Sequence, residues 1–206
     1  RKIIDNAQMT AFINYVNDCF DLTLKNYSQL YDWSIESSED FWESFWKFSN
    51  IISSEPYTQI CNDISKMPGA KWFSGAKLNF AENLLRYKDD SIAIKFYGED
   101  HVYRELTYIQ LYIEVEKFAT ALKSIGVQKG DRVVGFIPNM PEAIIAMLAT
   151  SSIGAIWSSS SPDFGWMNAG LHLQSPSYHP PPLPFLRLPI LSKVKAKVAL
   201  FLVVEE

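Results

Sequence analysis

The sequence predicts an α/β protein, an N-terminal helical segment followed by the start of a doubly wound, mostly parallel sheet. Two observations carry this. Residues 107–157 run helix, strand, helix, strand, each helix closed by a glycine. The strand in the middle, Arg132-Val133-Val134-Gly135-Phe136-Ile137, is almost wholly apolar, as strands covered on both faces are.

The first 90 residues read mainly as helix and loop. Ser37 and Asp40 stand at capping-box spacing ahead of Phe41, Phe45, Phe48 and Ile52, which fall on one helical face. Trp42 and Trp46 widen that face, and a docking helix packed on a core is the reading. Next, Ile92, Ile94 and Phe96 alternate against Lys95, Gly98-Glu99-Asp100 turns, and His101–Leu106 returns as the second arm of a hairpin. Thr107 and Gln110 form a capping box before an apolar stripe of Tyr108, Leu111, Tyr112, Val115, Phe118, Ala119, Leu122 and Ile125. Gly126 supplies the stop. Gly130-Asp131 turns into the apolar strand. Asn139 and Glu142 predict a second capping box, the helix runs to Gly154, and Ala155-Ile156-Trp157 opens the next strand. Strand, crossover helix and strand within about 30 residues form a right-handed βαβ unit.

Composition sets the class. With 206 residues, 48% of them hydrophobic and 20% charged, the chain can bury a core. Its net charge of −4 carries no footprint for nucleic acid or an anionic membrane. The apolar run from Ala143 to Trp157 is broken by Thr150, Ser151, Ser152 and Gly154, well short of the ~20 apolar residues of a membrane span. Cys19 and Cys61 are read as unpaired thiols of a reducing, cytosolic setting.

Composition changes near residue 165. Six of the eleven prolines and two of the three histidines follow it, with no acid before Glu205. Tyr178-His179-Pro180-Pro181-Pro182-Leu183-Pro184 is excluded from helix and central strand, because proline lacks the N–H and fixes φ. Pro181 and Pro184 make one P-x-x-P that could engage a domain reading polyproline segments. Residues 198–204 could form a strand. The boundaries are therefore 1–90, 91–165 and 166–206.

Few residues offer chemistry. There is no G-x-x-x-x-G-K-[ST] loop, no dinucleotide fingerprint and no cysteine or histidine at metal-ligand spacing. His101, His172 and His179 have no Ser, Cys or carboxylate at motif spacing. Trp157 to Gly165, with four serines, Pro162, Asp163 and Phe164, follows the second parallel strand, where ligands bind in open α/β sheets. An ordinary Ser/Pro/Asp/Gly turn is the competing reading.

Several stretches carry a resemblance. They are Tyr31-Asp32-Trp33-Ser34 with Asp40-Phe41-Trp42 and Phe45-Trp46-Lys47-Phe48, then Leu78-Asn79-Phe80-Ala81-Glu82-Asn83-Leu84-Leu85. Further on come Lys129–Gly135, Pro138-Asn139, Ala146–Ala149, Gly154–Ser159 and Ser161-Pro162-Asp163-Phe164-Gly165. On these, residues 1–165 resemble the acetoacetate-activating branch of the AMP-forming acyl-CoA synthetase superfamily. Residues 1–90 are similar to its acetyl-CoA-synthetase-type N-terminal segment and 91–165 to the beginning of its AMP-binding domain. An acetyl-CoA-synthetase-like ligase is the alternative within the class.

The resemblance implies a two-step ligase: acetoacetate attacks the α-phosphate of Mg-ATP, then CoA displaces AMP. Ser161, Pro162 and Asp163 match the family loop beside the CoA adenine, and that is the one site carried across. The resemblance stops at Gly165, and the family's Thr/Ser/Gly phosphate loop and catalytic lysine have no counterpart in residues 166–206. The chain as written is therefore expected to be inactive, its tail the product of an intron or a shifted frame. The rival reading is a truncated binding or regulatory form.

Overall fold

The computed structural model describes residues 2–98, 101–162 and 196–201. The protein is mixed α/β, in two compact units, Arg1–Leu78 and Asn79–Glu206. The prolines of residues 178–184, His172 and His179 lie outside the described residues.

In the first unit, helices α1 (Lys2–Asp5), α2 (Gln8–Phe20), α3 (Tyr27–Glu36) and α4 (Ser38–Phe48) precede two short strands, β1 (Gln59–Cys61) and β2 (Trp72–Ser74). The strands are antiparallel, an addition to the helix-and-loop expectation for this region. Phe12, Ile13 and Val16 of α2 are buried with Leu30 of α3. The α4 stripe docks as its spacing predicts. Phe12 meets Phe41 and Phe45 edge-on at 5.9 and 5.8 Å between ring centroids, and Phe48 at 5.1 Å. On the flank of α4, Trp46 stacks on Phe73 at 4.6 Å. Edge-to-face pairs add to area burial because ring edges are positive and faces negative.

Two details of α4 differ from expectation. Ser37 precedes the helix but makes no side-chain cap; its N–H is bonded to Trp33 O as the end of α3, and its φ of −123° and ψ of 54° depart from cap geometry. Helix α3 therefore runs almost into α4 and leaves no room for a capping box. Ile52 lies beyond the helix, because Asn50 takes a φ of +49° and turns the chain away.

The second unit begins with α5 (Phe80–Leu84), then β3 (Ile92–Tyr97) and β4 (Tyr103–Thr107), the antiparallel hairpin the alternation predicts. Helix α6 (Tyr108–Ser124) starts at the Thr107–Gln110 capping box, with both reciprocal bonds formed. Leu111, Val115, Ala119 and Leu122 of its stripe are buried, whereas Ile125 falls past the last turn and is exposed. Gly126, at φ +87°, donates to Lys123 O and Val127 donates to Leu122 O. That is a Schellman end, and it folds Val127 back onto the core.

Strand β5 (Arg132–Phe136), helix α7 (Pro141–Ser152) and strand β6 (Ile156–Ser160) make the βαβ unit, with β5 and β6 parallel. A second capping correction falls here. Asn139 is not the cap; Met140 is, Pro141 occupies the first helical position, and Glu142 pairs instead with Arg104 at 2.7 Å. Gly154, at φ +74°, ends α7 with the same Schellman pattern, Gly154 N–H to Ser151 O and Ala155 N–H to Thr150 O. Val133 of β5 sits fully buried among α5, α6 and α7. Residues 196–201 form a further strand, β7 (Ala196–Phe201), in line with the strand expected within 198–204 and starting two residues earlier.

Replacing Phe12 by Ala removes the ring on which the α4 stripe closes. It is expected to cost on the order of 3–5 kcal/mol, read by urea denaturation, with lost amide protection confined to residues 8–48. A second test concerns Glu43, whose carboxylate accepts from Lys47 at 3.0 Å and the Tyr57 hydroxyl at 2.8 Å. The Lys47 ammonium first, then the Tyr57 hydroxyl, hold its pKa below the usual glutamate value. A depressed carboxylate contributes stability at neutral pH that is lost as pH falls through its folded pKa. Carboxyl NMR titration should show Lys47→Met raising that pKa more than Tyr57→Phe does.

Candidate functional site

The carboxyl end of β6 is the place the sequence singles out, and three local devices fix it. The first is a staple at the far end of α7. Asn79 caps α5, its Oδ1 accepting from Glu82 N–H at 3.2 Å, while its Nδ2 donates to Ser151 O at 2.8 Å and Ser152 O at 3.3 Å. One side chain thus satisfies orphan groups at the start of one helix and the end of another. The second device is the turn into β6. Gly130 N–H donates to Gly154 O at 2.9 Å and Ile156 N–H to Asp131 O at 2.7 Å, so both strands enter the sheet together.

The third device is steric. Trp157 pairs with Val133, and Gly135 pairs with Ser159. The Trp157 ring therefore lies diagonally over residue 135. A Cβ there would stand 2.5 Å from Trp157 Cη2 and 2.9 Å from Cζ2. Only a glycine admits the ring, which is half-buried against the core of the unit. This contact had no signal in the local sequence beyond a glycine inside a strand pattern, which marks close approach.

The serine run is redistributed by the structure. Ser158, Ser159 and Ser160 are strand residues paired with Val134, Gly135 and Phe136, not loop residues as the sequence suggested. The reason is the ladder itself, whose last bond is Ile137 N–H to Ser160 O at 3.2 Å. The loop begins at Ser161 and Pro162, both half-buried, and Asp163 lies outside the described residues. His101, exposed at φ +62°, stays in the hairpin region.

A separate cleft of about 790 Å³ lies between the hairpin, α6 and α7. Arg104, Gln110, Lys117 and Glu142 line it over Phe118 and Ile145, and no residue of β6 takes part. Its cations are engaged, Arg104 with Glu142 and Lys117 with Glu114, each at 2.7 Å. Among the described residues no group of three or more His, Cys, Asp or Glu could hold a metal. Nor is any described helix long and apolar enough to cross a membrane.

Known proteins align with this architecture. Residues 80–166 match the family described as AMP-binding enzyme, and residues 27–84 that described as acetyl-coenzyme A synthetase N-terminus. An acetoacetyl-CoA synthetase of Macaca fascicularis is 46% identical over 166 residues, which are 78% of this chain and 24% of the relative. One from Rhizobium meliloti is 41% identical over 165 residues, 80% of this chain and 25% of that protein. A malonamoyl-CoA synthetase of Penicillium aethiopicum is 36% identical over 171 residues, 80% of this chain and 24% of that protein. The solved acetoacetyl-CoA synthetase of Streptomyces lividans superposes with a TM-score of 0.72 at 34% identity, over 81% of this chain and 26% of that one.

The chain thus belongs to the AMP-binding enzyme superfamily. Within it, the chain is a homologue of acetoacetyl-CoA synthetases and spans about a quarter of the length of the relatives it matches.

Gly135→Ala should cost about 1–3 kcal/mol through overpacking against Trp157. Trp157→Phe removes the ring carbons that meet the new methyl, so in the double variant the loss should be smaller than the sum of the two singles. A double-mutant cycle by thermal denaturation measures the coupling.

Proposed function

We propose that this chain is the N-terminal portion of an ATP-dependent acetoacetate–CoA ligase. In that reaction the acetoacetate carboxylate attacks the α-phosphate of ATP, releasing pyrophosphate and leaving acetoacetyl-AMP. The CoA thiol then attacks the acyl carbon and AMP leaves. The observation that carries the reading is the 46% identity over 166 residues with an acetoacetyl-CoA synthetase. The match of residues 27–84 to an acetyl-coenzyme A synthetase N-terminus supports an acetyl-CoA-synthetase-like ligase as the second reading.

In this reading residues 1–90 form the synthetase-type N-terminal segment, and 91–165 open the doubly wound AMP-binding domain through β5, α7 and β6. Residues 166–206 are a Pro-rich extension of another character. Ser161, Pro162 and Asp163 lie beside the CoA adenine. The position of Ser161 and Pro162 at the carboxyl end of a parallel strand supports this, since ligands of open α/β sheets bind there. A serine hydroxyl and an aspartate carboxylate suit the amino and hydroxyl groups of an adenosine, and Pro162 offers it an apolar face. No residue of this chain is assigned to ATP or to its magnesium ion. A cytosolic setting, read from the two free thiols, belongs to the same proposal.

The 206-residue chain by itself is proposed not to adenylate acetoacetate, given the quarter-length it shares with its relatives. Pyrophosphate–ATP exchange with purified chain and acetoacetate should stay at the level of a heat-denatured control. Exchange above that level would sink the inactive reading. CoA added to labelled chain should shift the amide signals of Ser160 and Ser161. A flat titration at millimolar CoA would remove the three-residue CoA assignment.

A further inference from the structure

Helix α3 carries apolar side chains on two faces. Leu30 is buried, and Trp33 packs against the core of the first unit beside Phe20 and Phe41. On another face Tyr27, Tyr31 and Ile35 stand a turn apart and are 61%, 51% and 59% exposed. At 3.6 residues per turn these three cover an arc of about 80°. Asp32 and Glu36 lie along one flank of that arc, both exposed, and uncharged Ser34 lies along the other. We propose that this face of α3 is a docking surface for a cationic amphipathic helix of a partner protein. Leucine-type side chains of the partner lie on Tyr27, Tyr31 and Ile35, and its lysines or arginines stand against Asp32 and Glu36.

Three features argue for it. The stripe repeats every fourth residue over a rise of about 12 Å, and apolar anchors at helical spacing are what one helix offers another. The neighbouring helix shows what such a stripe does when it is used internally. Phe41, Phe45 and Phe48 of α4 close on Phe12, whereas the α3 stripe is left to solvent. Tyr27 and Tyr31 also stack on each other at 6.2 Å, so their rings are held in place before a partner arrives and less side-chain freedom is lost on binding.

Charge decides which helix fits. Residues 27–48 carry five acids against one base, Lys47, and that base is held by Glu43. Helix α3 itself has no base. A second copy would therefore set acid against acid, and like charges brought together suppress pairing. An uncharged partner would leave Asp32 and Glu36 with nothing to meet. Because both acids flank the stripe on the same side, the partner's cations belong on one side of its own apolar row. That one-sidedness fixes the alignment of the two helices, and the opposite charges speed their encounter.

Amide-shift titration of the full chain tests this, with a helical peptide of about four turns that has leucines at steps of three and four and lysines along one flank. Saturable shifts should centre on residues 27–36. Tyr31→Ser with Ile35→Ser should weaken binding about tenfold or more, the loss expected for central apolar anchors. Asp32→Asn with Glu36→Gln should weaken it at low salt and by less at high salt, where the charges are screened. All four side chains are exposed, so neither variant should unfold the unit. Should the serine variant lose α3 nonetheless, the charge variant and the parent titrations decide. A peptide of the same composition in scrambled order, and one with glutamate for lysine, should each leave α3 unshifted. Equal binding by either control overturns the proposal, as does a parent chain that gives no saturable shift. Concentration-dependent shifts of α3 in the free chain would assign the stripe to a second copy, and NOEs from the second unit onto the Tyr31 ring would assign it to a cover within the chain. Either result refutes the partner helix.

Discussion

The second unit depends on the burial of β5. Val133 is wholly withdrawn from solvent and Val134 nearly so, which requires a cover of helices and a neighbour on each edge of the strand. Helix α6 supplies Leu111, Val115, Ala119 and Leu122, α7 supplies Leu148 and Ala149, and α5 brings Ala81 with Leu85 following. A buried strand cannot leave its peptide groups unpaired, because each would carry an uncompensated desolvation cost. The parallel register with β6 follows, and with it the crossover helix α7. That crossover delivers Ser161 to the carboxyl end of the sheet. The location of the candidate site is thus a consequence of how one apolar strand is covered.

The first unit solves a different problem by a different means. Its strands are short, and its order comes from aromatic side chains that meet at defined angles. Phe12 gathers Phe41, Phe45 and Phe48, and Trp46 and Tyr57 enclose Phe73. Around that packing, polar side chains hold the connections. Asn17 both accepts from Leu24 N–H and donates to Leu24 O, pinning the segment that leads to α3. The Glu43 carboxylate joins Lys47 and Tyr57 and so ties α4 to the segment before β1. The ion pair of Glu43 with the exposed Lys47 adds little stability by itself.

Kinship with acetoacetyl-CoA synthetases and the geometry of β6 speak to different questions. The proposed reaction class, acid activation by adenylation followed by thiol capture, rests on the kinship alone. The geometry concerns how one loop is presented: Asn79 fixes α7, the Gly154 turn fixes the entry of β6, and Trp157 over Gly135 keys β6 to β5. These groups act through backbone position. None of them needs to touch a ligand for the loop to depend on it.

Much of this was legible in the chain alone. The capping box at Thr107, the apolar stripe of α6, the glycines at 126 and 154 and the hairpin all follow from local φ/ψ limits and from periods of two and 3.6. Those rules act over a few residues, so a few residues suffice to read them. The two capping boxes that did not form failed where neighbours intervened, α3 running into Ser37, and Pro141 starting α7 one residue after Met140. The tertiary structure alone decided the rest. Asn79 finds Ser151 across 72 residues, Arg104 takes Glu142 across 38, the serine run divides between strand and loop, and β7 takes the second edge of β5. Those choices depend on which surfaces are buried together, and burial is a property of the whole packed unit that no local window of sequence contains.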